Sequence, residues 1–167
     1  NTLIVFCSDN GGLSAHSRGV TPLGTSKDTH NQPLRSGKGS GYEGGIRVPL
    51  ILAWAGASRP GYELPADSML PFATLSNDLY STIADVAQIP RDWRHVDENA
   101  HAVSLWPIIA GKLGVVQRPM VWHYPHKWGP SGDRYEPFTA WREGYYKLIY
   151  WYETEQFELY NLQNDIG

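Results

Sequence analysis

Two oxygen donors stand side by side in Ser8-Asp9-Asn10-Gly11-Gly12, and further along a lysine lies between glycines in Ser36-Gly37-Lys38-Gly39-Ser40. A carboxylate next to an amide oxygen makes a pair of hard ligands, suited to Ca2+ or Mg2+ and poorly suited to zinc. Taken alone, Asp-Asn-Gly is first of all a turn signal, and two donors cannot fill the roughly six to eight oxygen positions of a calcium shell. Around Lys38 the glycines let the backbone come close to an anion while the ammonium supplies a point charge. A solvated loop lysine is the plain alternative. Together the two motifs describe a place where a doubly charged oxyanion could be held.

Other candidates carry less. Gly39-Ser40-Gly41-Tyr42-Glu43-Gly44 satisfies G-x-G-x-x-G, but the residues after it read as a strand ending at Pro49, so the strand-turn-helix context of a dinucleotide site is missing. Gly37-Lys38 is no P-loop, because Gly39 stands where Ser or Thr is required. Of the six histidines, His16 and His30 fall in a long polar segment and His95 and His101 in a polar connection. His123 and His126 belong to His123-Tyr124-Pro125-His126-Lys127-Trp128. None has zinc-like spacing with a third ligand. The segment from Trp122 to Trp128 could line a sugar pocket or simply end a strand. No G-x-S-x-G elbow occurs, which leaves an ordinary serine hydrolase without support.

These residues need elements to hold them. Residues 2–8 form a β-branched, apolar run, expected as a fully buried parallel strand that delivers Asp9 and Asn10 at its C-terminal end. Cys7, the single cysteine, is then expected as an inert core thiol. Residues 13–40 lack periodicity and form a loop long enough to be functional. A second apolar strand is expected over residues 47–54. Phe72, Leu75, Leu79, Ile83 and Val86 recur at helical spacing, with Asn77, Asp78, Ser81 and Asp85 off that face. A shorter helix over residues 103–110 ends at Gly111. Four strands come next, over residues 119–124, 138–142, 145–152 and 157–162, the middle two joined tightly through Glu143-Gly144. In the third of them Tyr145, Lys147, Ile149 and Trp151 share one face. A change of character near residues 56–71 divides the chain into a catalytic α/β part, residues 1–60, and an α+β part, residues 61–167, with a four-stranded antiparallel sheet and a packed helix.

With 41% hydrophobic residues in 167, a real core can form. A net charge of −3 without basic runs gives no footprint for nucleic acid, and no apolar stretch approaches the ~18 residues of a membrane span. The chain opens on Asn1 with a strand almost at once, as expected of a piece of a longer polypeptide. A strand presented without its neighbours invites self-association.

The compound motif Ser8-Asp9-Asn10-Gly11, then Pro33-Leu34-Arg35-x-Gly37-Lys38-Gly39-Ser40-x-Tyr42-Glu43-Gly44-Gly45-x-Arg47-Val48-Pro49, resembles the second half of the catalytic domain of type I, formylglycine-dependent sulfatases of the alkaline-phosphatase superfamily. Asp78-Leu79-Tyr80-Ser81-Thr82-Ile83, Tyr146-Lys147-Leu148-Ile149 and Glu158-Leu159-Tyr160-Asn161-Leu162 resemble later segments of the same family. The resemblance implies an alkaline-phosphatase-like α/β core and hydrolysis of sulfate monoesters, with sulfated carbohydrate as the expected substrate. It makes Asp9 and Asn10 metal ligands for Ca2+ or Mg2+, Lys38 the catalytic cation on the sulfate, and Arg35, Glu43 and Arg47 supports of the loop; His123, in the segment that could line a sugar pocket, is expected as a further substrate contact. It also implies a formylglycine made from a C/S-x-P-x-R sequence upstream, which these residues lack, so the chain alone is expected to be inactive without the N-terminal part of the same polypeptide. A periplasmic or secreted setting is implied ahead of a lysosomal one. Two rivals share the motifs: a phosphodiesterase or phosphonate hydrolase of the same superfamily, and a non-catalytic domain that binds sulfated glycans.

Overall fold

The computed structural model describes residues 1–13, 31–93, 102–114, 117–127 and 134–167. His16, His30, His95, His101, Trp128 and most of the long loop lie outside the described residues. The chain divides into two compact units, one formed by Asn1–Val5 and Ile51–Val116, the other by Phe6–Leu50 and Gln117–Gly167.

Two strands, β1 (Thr2–Cys7) and β2 (Leu50–Ala55), most of whose residues fall in the first unit, pair in a two-stranded sheet. Both are where the apolar runs placed them, but neither is fully buried. Exposure alternates along each, leaving Ile4, Phe6 and Ile51 half open to solvent. Cys7 is likewise exposed, which corrects the expectation of a core thiol. A strand with one partner and one covered side leaves every second side chain in water, whatever its polarity.

Helix α2 (Asp78–Val86) begins later than the Phe72 periodicity implied; of the expected face Val86 is buried, but Ile83 is half exposed, and Asp78, Ser81, Thr82 and Ala84 are buried in its stead. The reason is hydrogen bonding. Asp78 Oδ2 accepts from the Leu75 amide at 2.8 Å and Oδ1 from the Val103 amide at 3.0 Å. Thr82 Oγ1 accepts from Leu105 N, and the Thr82 carbonyl from Trp106 Nε1, each at 3.0 Å. Buried polar groups with complete partners are tolerated, and here they fasten the segment leading into α3 (Trp106–Ile109). The Trp106 ring meets Tyr62 edge-on at 5.4 Å, and Trp54 Nε1 donates to the Tyr62 carbonyl.

The second unit holds an antiparallel sheet, β3 (Met120–Tyr124), β4 (Phe138–Glu143), β5 (Tyr146–Trp151) and β6 (Gln156–Asn161), in the order β3-β4-β5-β6. Its register sets Trp122, Ala140, Ile149 and Glu158 across one face and Val121, Trp141, Leu148 and Leu159 across the other. The first face carries the core, where Phe138, Ala140, Ile149 and Trp151 pack with Tyr42. What covers that face is the segment bearing Tyr42. Its helix, α1 (Glu43–Ile46), is a single turn where the sequence pattern indicated strand. The turn forms because Gly44 N is drawn to the Arg35 carbonyl and Gly45 N to the Tyr42 carbonyl, at 2.9 Å each.

Candidate functional site

Asp9 and Asn10 follow β1 with only Ser8 between, Asp9 exposed and Asn10 half-buried. Ser8 Oγ donates to the Asn10 carbonyl at 2.8 Å, folding this end into a turn. The next two residues carry the connection. Gly11 N donates to the Gly45 carbonyl at 2.8 Å, and the Gly12 carbonyl accepts from the Lys38 amide at 3.0 Å. Asn31 Nδ2 donates to the carbonyls of both Gly12 and Ser36 at 2.9 Å. Residues far apart in sequence are thus stitched together by backbone bonds, and Lys38 is tied to the turn that presents Asp9 and Asn10. Glycine is required at position 11, because a Cβ there would fall on the Gly44 carbonyl oxygen.

The Lys38 loop is itself tightly held. Ser36, buried, sits at φ +62°, a left-handed conformation uncommon for a residue with a side chain. Gly39 follows at φ +93°, so the chain turns on both sides of Lys38. Such a loop presents its ammonium from a fixed backbone, a condition for anion binding without reorganisation.

Beneath the loop lies a polar layer against the sheet. The Arg35 guanidinium stacks 4.0 Å from the centre of the Tyr42 ring and donates to Tyr160 Oη at 3.3 Å. Tyr42 and Tyr160 each donate a hydroxyl hydrogen bond of 2.7 Å to Glu158 Oε2. Burial works to raise the Glu158 carboxyl, but the two hydroxyl donors and the nearby Arg134 outweigh it and hold the group below its ordinary value. Burial, joined by Glu158, pushes the Tyr42 hydroxyl well above the usual tyrosine range. Beside them Glu43, buried, accepts from Lys147 Nζ at 2.7 Å, with Arg47 and Arg142 at 3.7 and 3.9 Å. Desolvation pulls the Lys147 ammonium below its ordinary value, and Glu43 offsets this only in part.

The structure therefore gathers Asp9, Asn10 and Lys38 on one backbone framework. It does not gather His123 with them. That residue stands on the outer face of β3, opposite Trp122 and Tyr124, where Nδ1 lies 2.8 Å from Thr139 Oγ1 and the ring meets Tyr152 edge-on at 6.1 Å. His126 is exposed, its ring edge-on to Tyr124. Among the described residues no cluster of three His, Cys, Asp or Glu side chains could enclose a metal. Asp9 and Asn10 fit a hard cation by the chemistry of their oxygens, as part of a shell.

Sequence reasoning does not single out Lys147, Glu158 and Tyr160 as members of the polar layer under the loop. A signal exists for Lys147: period-two alternation places it on the face of Ile149 and Trp151, and a lysine on a buried face calls for a carboxylate partner. Nothing local points to Glu43, 104 residues away.

A family model described as Sulfatase matches residues 1–89. A sulfatase of Formosa agariphila is 34% identical, covering all of this chain and 28% of the relative. Rat steryl-sulfatase is 32% identical over 85% of the chain and 21% of its own length. Human arylsulfatase A is 30% identical over 87% of the chain and 24% of its own length. The chain spans about a quarter of the length of these curated relatives. A solved structure of a protein in complex with its substrate D-glucosamine-2-N,6-O-disulfate aligns with 98% of the chain and 28% of its own at a TM-score of 0.57 and 22% identity, a likeness of fold.

Proposed function

The chain belongs to the sulfatase family, and from that premise we propose that it carries part of the site at which a larger polypeptide hydrolyses sulfate monoesters. The observation that carries this reading is the pair of backbone bonds from Gly11 and Gly12 to Gly45 and Lys38, which fix the Asp9-Asn10 turn against the lysine loop.

Within that site Lys38 places a positive charge against the sulfate or the oxygen that departs when the S–O bond breaks. Charge developing on that oxygen is worth most to a donor already held in place. Asp9 and Asn10 hold a divalent cation, Ca2+ or Mg2+, with the remaining ligands drawn from other parts of the polypeptide. When bound, such an ion neutralises sulfate oxygens and polarises the sulfur toward attack. The nucleophile, a formylglycine, comes from outside these 167 residues, which contain no C/S-x-P-x-R sequence. The chain by itself is accordingly inactive.

The substrate class we assign is a sulfated carbohydrate, supported by the sulfated glucosamine bound by the structural neighbour. We assign a periplasmic or secreted setting. Among the described residues no helix is long and apolar enough to cross a membrane.

Side-by-side assay of the complete polypeptide on an aryl sulfate and an aryl phosphodiester tests the reading. Preference for the sulfate is expected, and preference for the diester overturns it. A sulfatase rate from the pure 167-residue chain, lost in Lys38→Ala, overturns the claim that the chain alone is inactive.

A further inference from the structure

The lysine loop is pinned from below by a buried ion pair. Lys147 is 1% and Glu43 5% exposed, and the 2.7 Å contact between Nζ and Oε1 joins the second residue of β5 to the first residue of α1. From Glu43 the path to the site is short and made of backbone. Gly44 N donates to the Arg35 carbonyl, Gly45 accepts from Gly11, and Gly12 accepts from Lys38. A Cβ on Gly44 would collide with the Arg35 and Ser36 carbonyls, so the turn has no room to slide. Arg47 and Arg142 approach Glu43 more distantly, at 3.7 and 3.9 Å, from largely exposed and partly exposed positions.

We propose that Lys147 is a positioning residue for the anion site: its ion pair with Glu43 latches α1 onto the sheet and so fixes where the Lys38 loop meets the Asp9-Asn10 turn. The proposal rests on the reading of Lys38 as the sulfate-binding cation. A buried carboxylate deprived of its closest cation must recruit another or move to water. Arg47 and Arg142 are the nearest replacements, and reaching either one turns Glu43 and carries α1 with it. The segment then loses the register that Gly44 and Gly45 share with Arg35 and Gly11. A buried ammonium on the inner face of β5, hydrogen-bonded to a carboxylate and 5.8 Å from the Trp122 ring, is otherwise a costly residue in a position that the pattern of Ile149 and Trp151 would fill with an apolar side chain.

The test uses the complete polypeptide, with amide hydrogen exchange at Gly11, Lys38 and Gly44 and titration with inorganic sulfate in the presence of Ca2+. Lys147→Met should speed exchange at those three amides at least tenfold relative to the β4 and β5 ladder amides, and should weaken sulfate binding. Ile149→Val, a core change on the same strand, should lower Tm without selecting the loop. Glu43→Gln keeps the shape and removes the charge, and should reproduce the localised loosening if Lys147→Met does not fold. Loop exchange that stays unchanged, or that rises no more than sheet exchange, in the folded variants overturns the proposal. If instead the loop loosens as expected but Lys38→Ala binds sulfate as the unaltered chain does, the latch stands and the assignment of Lys38 fails.

Discussion

Glu158 shows how a single carboxylate holds the lower layer of the site. It accepts hydrogen bonds from Tyr42 and Tyr160 and pairs with Arg134 at 3.2 Å, and its carboxyl lies below the ordinary 4.5 in the folded chain. A carboxylate held down by folding contributes stability at neutral pH that is lost as pH falls through the ordinary value and then the lowered one. Thermal melts from neutral pH to about pH 3 should therefore show Tm falling below the ordinary carboxylate range. Glu158→Gln should lower the neutral-pH Tm and flatten that slope, and a slope unchanged by the substitution would contradict the assignment. At Gly11 the constraint is steric. Gly11→Ala sets a methyl group on the Gly44 carbonyl, so a loss of about 3 kcal/mol or more is expected in denaturant unfolding.

Among the elements, the strands were the most legible. The four runs over residues 119–162 became β3 to β6 within two residues at each end, because alternation with β-branched and aromatic residues describes a half-covered antiparallel sheet well. Helix α2 shows where pattern fails. Its apolar spacing predicted a face led by Leu79 and Ile83, yet Ile83 is half exposed while Asp78 and Thr82 are buried with Val86, since specific bonds to Leu75, Val103 and Leu105 outweigh the ordinary exposure of polar side chains. Sequence cannot register such a preference, because the partners are backbone amides. The motif residues of the site were legible for a related reason. Asp9, Asn10 and Lys38 lie in dense local signals of glycine and polar residues, whereas Lys147, Glu158 and Tyr160 act through a sheet assembled at long range. Thr82→Val tests the element-scale account directly. It leaves Leu105 N without its buried acceptor, and a loss of about 1–3 kcal/mol is expected. A neutral result would mean that the α2 face is set by packing alone.

For the whole molecule, apolar side chains remain open on both units. Ile4 and Ile51 are half exposed in the first unit. Trp141, Leu148, Phe157 and Leu159 lie open on the outer face of the sheet in the second, with Phe157 and Leu159 about two-thirds exposed. Patches of this kind in isolation favour association, and light scattering on the purified chain should detect oligomers. A clean monomer across a concentration series would contradict that expectation. The same incompleteness bears on function, since in the proposed site this chain supplies Asp9, Asn10 and Lys38 and the rest of the polypeptide supplies the nucleophile. The most direct measurement is kcat/KM of the complete polypeptide on an aryl sulfate, before and after Lys38→Ala. If Lys38 stabilises the charge that develops on the sulfate ester, the substitution should lower kcat/KM on the order of 100- to 1000-fold. A variant that hydrolyses the sulfate as fast as the unaltered enzyme would contradict the site described here.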